Sequence, residues 1–130
     1  ATILAGGTLD GELVRPTVVE NPPADTHLAC DEAFGPVCTL QPYATLDEAI
    51  ALANATRYGL QAGIFTADVK RALHATRSLE FGGVTVNEAP TFRADQMPYG
   101  GVKDSGFGRE YGPEAPASYT RVKSVVVSLD

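Results

Sequence analysis

Between Val37 and Val86 the chain changes hydrophobic period four times. Val37 to Tyr43 reads as a strand. Leu46, Ala49, Ile50 and Ala53 then fall at i, i+3, i+4 and i+7, the spacing of one helical face. Thr45-Leu46-Asp47-Glu48 opens that helix as a capping box, with Asn54 through Gly59 closing it. Gln61 to Phe65 reads as a second strand. A second helix is predicted from about Asp68 to Leu79, with Val69, Ala72, Leu73, Thr76 and Leu79 inward and Gly82-Gly83 as its stop. Val84-Thr85-Val86 is a short β-branched third strand. Strand-helix-strand-helix-strand over this length predicts an α/β layer with right-handed crossovers and a parallel sheet.

The flanks are less regular. Ala1 to Ala5 and Pro16 to Val19 are weaker strand candidates, and Asn21-Pro22-Pro23 is a loop. Asn87 to Phe107 is long and rich in Gly and Pro. A loop of that length in a compact domain is usually functional, and ligands of parallel sheets sit beyond the carboxyl ends of the strands. Val122 to Leu129 returns to a strand pattern around Val125-Val126-Val127.

The 130 residues suffice for one modest domain, and 44% hydrophobic content is ordinary for a globular chain. A net charge of -6 without a basic cluster argues against a nucleic-acid partner. No run of ~18 apolar residues predicts a membrane span. No signal peptide is visible, so a cytoplasmic protein is expected. The first residue is Ala1, which fits a processed chain or a piece of a longer one. Cys30 and Cys38 are too sparse for a disulfide framework, and His27 and His74 make no metal-ligand pattern with them, so no metal is expected. Neither cysteine stands in a nucleophile's setting. Cys30 adjoins Asp31 and Glu32, and Cys38 enters a strand of alternating apolar residues that would bury it.

The chemistry concentrates in two segments. In Asp31-Glu32-Ala33-Phe34-Gly35-Pro36-Val37 a carboxylate that can accept from a sugar diol stands two residues from an aromatic face, ahead of a Gly-Pro bend. Met97-Pro98-Tyr99-Gly100-Gly101-Val102-Lys103-Asp104-Ser105-Gly106-Phe107-Gly108-Arg109-Glu110 follows near the end. Its Gly106-Phe107-Gly108 has the spacing G-x-G-x-x-x-G with Gly112 and no strand directly before it, so it is not a phosphate cradle. The first segment resembles the E-x-F-G-P motif of the NAD(P)-dependent aldehyde dehydrogenases. The second resembles the P-[FY]-G-G-x-K-x-S-G-x-G-R-E signature of the same family. Thr91 to Tyr99 resembles the branch that acts on small hydroxylated or phosphorylated aldehydes.

The resemblance implies an α/β chain that forms a three-layer, parallel-sheet segment of the catalytic domain over residues 1–130. Residues 119–130 would form the oligomerisation strand of a homodimer or homotetramer. It implies NAD or NADP as cofactor, with Glu32 accepting from the nicotinamide ribose hydroxyls and Phe34 packed beside the ring. It implies a small-molecule aldehyde as substrate, lined by Phe92 and Tyr99. Arg93 beside them reads first as a solvated loop charge, with pairing to an anionic substrate group as the second reading. In the family a cysteine thiolate attacks the aldehyde, hydride passes from the thiohemiacetal to NAD(P)+, and a glutamate activates water to release the acid. The nucleophile, the base and the oxyanion-binding asparagine have no counterpart here, and Asn87 falls at a position that looks structural. The expectation is the C-terminal portion of an oxidoreductase, with a non-catalytic, stand-alone assembly module of the same fold as the alternative.

Overall fold

The computed structural model describes residues 1–129, and the chain divides into two compact units, Ala1–Leu52 and the remainder from Ala53. In the first, β1 (Thr2–Ala5) leads through the hairpin of β2 (Leu9–Asp10) and β3 (Leu13–Val14) to β4 (Thr17–Glu20). Gly11, at φ 62°, sits in the hairpin turn, and Arg15 pairs with Asp10. A single turn of helix, α1 (His27–Cys30), precedes β5 (Val37–Leu40). The sheet order is β1-β4-β5. β1 runs antiparallel to β4, and β4 runs parallel to β5 from Thr17 opposite Val37 to Glu20 opposite Leu40. Only the central strand is buried to any depth. Its β-branched run puts Thr17 and Val19 inside, where the Thr17 hydroxyl accepts from Gly7 N–H at 2.9 Å and donates to the Arg15 carbonyl at 2.7 Å.

Helix α2 (Leu46–Asn54) straddles the boundary between the units. Its start follows the capping logic. Thr45 Oγ1 accepts from Glu48 N–H at 3.2 Å, while the Glu48 carboxylate accepts from Ala44 N–H at 2.7 Å, one residue before the position that a strict box would use. The expected face is the covered one: Ile50 is buried, and Leu46, Ala49 and Ala53 are half-buried.

The second unit holds β6 (Tyr58–Gly59), β7 (Gln61–Ile64), α3 (Val69–Ser78), β8 (Gly83–Val86), β9 (Val102–Lys103) and α4 (Ala115–Ser118). β7 and β8 are parallel, from Gln61 opposite Gly83 to Ile64 opposite Val86, with α3 packed on β8. Asp68 caps α3, its carboxylate accepting from Lys70 N–H at 2.8 Å and Arg71 N–H at 3.3 Å. Ala75, with no exposed surface, lets the helix backbone approach closely. β6 and β9 form an antiparallel pair.

The α/β class with parallel strand pairs holds, but several expectations change. Parallel pairing is seen within each unit. β5 takes β4 as its neighbour and β7 takes β8, because a β-branched run specifies a strand but not its partner. On α3, Val69 and Leu73 are exposed, and the covered arc is Ala72, Ala75, Thr76 and Leu79. That helix ends at Ser78 with Leu79 in extended conformation, four residues before the expected glycine stop. Gly82 serves a close approach instead: a Cβ there would lie 1.7 Å from the Gly100 carbonyl oxygen. Cys38 is exposed, since β5 is an edge strand, and both cysteines are free. The 87–107 segment is not structureless, for it contains β9. Residues 120–129 carry no ladder in the single chain, with Val122, Val126 and Leu129 each more than 90% exposed. Asp130, the last residue of the expected 119–130 strand, lies outside the described residues. No helix among the described residues is long and apolar enough to cross a membrane.

Candidate functional site

The first motif links α1 to β5. Asp31 N–H donates to the His27 carbonyl at 2.8 Å and closes the short helix, with His27 Nδ1 2.7 Å from the Asp31 carboxylate. Two successive three-residue turns follow, from Gly35 N–H to the Ala33 carbonyl at 3.0 Å and from Val37 N–H to the Gly35 carbonyl at 2.8 Å. The Pro36 carbonyl accepts from Thr17 N–H at 2.8 Å, which ties the end of the bend to β4. Between these anchors Glu32 and Phe34 stand out from the backbone. The Phe34 ring is 95% exposed. The Glu32 carboxylate is exposed, and no hydrogen bond or ion pair engages it among the described residues. Both enter at the amino end of β5, so the carboxyl-end rule for parallel sheets does not find them.

The second motif behaves differently. The segment that it closes begins at Asn87, which takes φ 56°. Asn87 N–H donates to the Ile64 carbonyl at 2.7 Å, continuing the ladder beyond β8. Its side-chain amide then imitates one more strand residue, accepting from Thr66 N–H at 2.8 Å and donating to the Thr66 carbonyl at 2.9 Å. The buried Thr85 hydroxyl donates to the Glu88 carbonyl at 2.8 Å. Asn87 is thus a structural residue.

At the far end Lys103, Asp104 and Ser105 fasten to the end of α2, the turn after it and β6. Lys103 Nζ donates to the carbonyls of Asn54 at 2.8 Å and Thr56 at 3.2 Å and pairs with Glu80 at 3.2 Å. Those carbonyls lie at the C-terminal end of α2, where a cation is favoured. Arg57 pairs with Asp104 at 2.6 Å, and Ser105 Oγ accepts from Gly59 N–H at 3.0 Å. Asn54 adds bonds to the Ser78 carbonyl at 2.8 Å and from Glu80 N–H at 2.9 Å.

Phe92 and Tyr99 lie between these anchors. Phe92 is half-exposed, at the end of a turn closed by its N–H on the Ala89 carbonyl at 3.0 Å. Tyr99 exchanges two backbone hydrogen bonds with Glu110, at 2.8 and 2.6 Å. Arg109 Nη1 donates to the carbonyls of Gly101 at 2.9 Å and Gly108 at 2.7 Å, which cinches the glycine-rich return. An open groove of about 740 Å³ runs past Tyr99, Phe107, Tyr111, Ser118 and Tyr119. The Arg93 guanidinium lies 3.3 Å from the centre of the Tyr99 ring and 5.3 Å from that of Tyr111. No hydrogen bond or ion pair engages Arg93 among the described residues.

The structure therefore brings Tyr99 and Arg93 into contact, with Phe92 on the same loop, while Glu32 and Phe34 belong to the other unit. Tyr111 was not singled out by sequence reasoning, because its place depends on the Tyr99–Glu110 bridge and nothing local announces that pairing. No group of three metal-ligating side chains occurs among the described residues. The residues fit a dinucleotide's nicotinamide end: a carboxylate with all its acceptor capacity free lies two residues along the chain from an uncovered aromatic ring.

Comparison with known proteins adds an independent line. The sequence model of the aldehyde dehydrogenase family matches residues 1–125. Lactaldehyde dehydrogenase of Methanococcus maripaludis is 42% identical over 125 residues, 96% of this chain and 27% of that protein. The 3-sulfolactaldehyde dehydrogenase of Priestia aryabhattai is 42% identical over 129 residues, 99% of this chain and 27% of that protein. Among solved structures, glyceraldehyde-3-phosphate dehydrogenase GapN of Methanocaldococcus jannaschii, complexed with NADP, superposes with a TM-score of 0.78 at 42% identity, over 87% of this chain and 24% of that one. The chain spans about a quarter of the length of these relatives.

Proposed function

We propose, from the premise that this chain belongs to the aldehyde dehydrogenase family, that it is the C-terminal portion of an enzyme that oxidises a small aldehyde to its acid with NAD or NADP. The observation that carries this reading is the pairing of a free Glu32 carboxylate with the uncovered Phe34 ring on a bend tied to the sheet. Glu32 would accept from the ribose diol and Phe34 would lie against the nicotinamide. When bound, the nicotinamide supplies the carbon that accepts hydride. The protein's contribution at this point is to hold that carbon still, and a backbone fixed through Pro36 suits the task. The nucleophilic cysteine and general base belong to the remainder of the enzyme.

Phe92 and Tyr99 would form part of the aldehyde-binding wall, and Arg93 beside them would meet an anionic tail. An arginine whose faces lie over aromatic rings and whose N–H edges are unengaged is a receptor for carboxylate, sulfonate or phosphate. The names of the sulfolactaldehyde and glyceraldehyde-3-phosphate relatives support a substrate of that size and charge. Two free, exposed thiols suit a reducing, cytoplasmic setting. Residues 119–130 would complete a sheet with another copy, since an apolar segment without a ladder is a sticky edge. Deleting the residues after Tyr119 should then reduce the assembly on sizing, and unchanged assembly would count against it.

The enzymatic reading is tested by following NAD(P)H formation from lactaldehyde, 3-sulfolactaldehyde and glyceraldehyde 3-phosphate with the complete polypeptide and with residues 1–130 alone. Turnover should require the complete polypeptide and survive Cys30→Ser and Cys38→Ser. Loss of turnover in either cysteine variant, or activity in the isolated segment, would overturn the assignment of the nucleophile to the rest of the chain.

A further inference from the structure

Arg93 is an exposed side chain on an irregular segment, and an arginine so placed samples many rotamers. A receptor for a single anionic group works better when that freedom is removed beforehand. Two features of the fold remove it. The Tyr99 ring lies under the guanidinium at 3.3 Å. The second ring, Tyr111, arrives from the far side of the glycine-rich return. Tyr99 and Glu110 exchange main-chain hydrogen bonds in both directions, so the residue after Glu110 is delivered next to Tyr99 whatever its side chain is. Tyr111 takes φ 59°, and its ring centre comes within 5.3 Å of the Arg93 guanidinium carbon, inside cation–π range. A left-handed backbone at a bulky residue is uncommon and persists where its surroundings hold it.

We propose that Tyr111 is a positioning residue for substrate selection: with Tyr99 it holds the Arg93 guanidinium so that its in-plane N–H donors face the anionic tail of the aldehyde. This deepens the reading of Arg93 given above and rests on it. Carboxylate, sulfonate and phosphate share the chemistry that a fixed guanidinium edge recognises, two acceptor oxygens in one plane. Tyr111 itself touches no substrate in this scheme. It acts through Arg93, so its loss should change the preference between charged and neutral aldehydes rather than the oxidation common to both.

The test measures, in the complete enzyme, the ratio of kcat/KM for an anionic aldehyde to that for a neutral aldehyde of matched length. Succinic semialdehyde and glyceraldehyde 3-phosphate, each against an uncharged analogue, are suitable probes. Arg93→Gln should lower the ratio about 10- to 100-fold, as loss of charged hydrogen bonds implies. Tyr111→Leu should lower it roughly two- to five-fold, the worth of one exposed cation–π contact, mainly through KM for the anionic aldehyde. Tyr111→Phe, which keeps the ring face, should restore the ratio. If Arg93→Gln lowers the ratio and Tyr111→Leu does not, the role of Tyr111 is refuted while that of Arg93 stands. An equal loss for both aldehydes in Tyr111→Leu, or a Tyr111→Phe ratio as low as that of Tyr111→Leu, also refutes it. A ratio unmoved by Arg93→Gln removes the reading on which the proposal rests.

Discussion

Residues 97–110 and residues 31–37 both carry family motifs, yet the fold treats them in opposite ways. Around the later motif Lys103, Asp104, Ser105 and Arg109 each bond to backbone or to an opposite charge, and glycines let strand and loop backbones touch. Around the earlier motif the backbone is tied at its ends, but among the described residues no hydrogen bond, ion pair or ring contact engages the two side chains of chemical interest. The difference separates two meanings of a motif. In the later one the residues hold a segment in shape, so that Phe92, Arg93 and Tyr99 stand in set positions. In the earlier one the residues are left free, as the proposed cofactor-binding pair would be before its ligand arrives.

That contrast breaks most sharply at Gly82. A Cβ there would lie 1.7 Å from the Gly100 carbonyl oxygen, and backbone cannot yield as a flexible side chain can. Gly82→Ala should destabilise the fold by about 3 kcal/mol or more, as overpacking against backbone does. Chemical denaturation checks this, and a change below about 1 kcal/mol would mean that the close approach is dispensable. At the other motif, Phe34→Ala should change stability by less than about 0.5 kcal/mol, because a ring 95% exposed contributes little packing. A large loss of stability there would make Phe34 a structural residue and erase the comparison.

How much of this was legible in the sequence follows from the range of each determinant. The covered face of α2, the Thr45 cap, the start of α3 near Asp68 and the strands at 61 and 84 depend on residues within one or two turns, and local pattern finds them. The β2–β3 hairpin and the β6–β9 pair use two-residue strands, too short for a period to register. The neighbour of β5 depends on β4, some twenty residues upstream. Burial was the least legible property. Val69 and Leu73 fit a helical stripe but stay exposed, because the arc that α3 turns to β8 centres on Ala75. At the candidate site, Glu32, Phe34, Phe92 and Tyr99 were singled out by motif resemblance alone. Arg93 gained its meaning only from the two rings beside it, and Tyr111 was invisible until the Tyr99–Glu110 bridge placed it.

The central claim is that Glu32 seats the nicotinamide end of the cofactor. Charged hydrogen bonds of that kind are worth roughly 1.5–3 kcal/mol, and the adenine end would bind elsewhere. Glu32→Gln in the complete enzyme should therefore lower kcat for aldehyde oxidation by about ten-fold or more, while cofactor affinity falls less. The measurement is kcat with protiated and with deuterated aldehyde, alongside the Kd of NAD or NADP. The account predicts a lower kcat and a larger isotope effect, as hydride transfer becomes rate-limiting. Unchanged kcat and an unchanged isotope effect would make Glu32 an ordinary surface carboxylate and contradict the account.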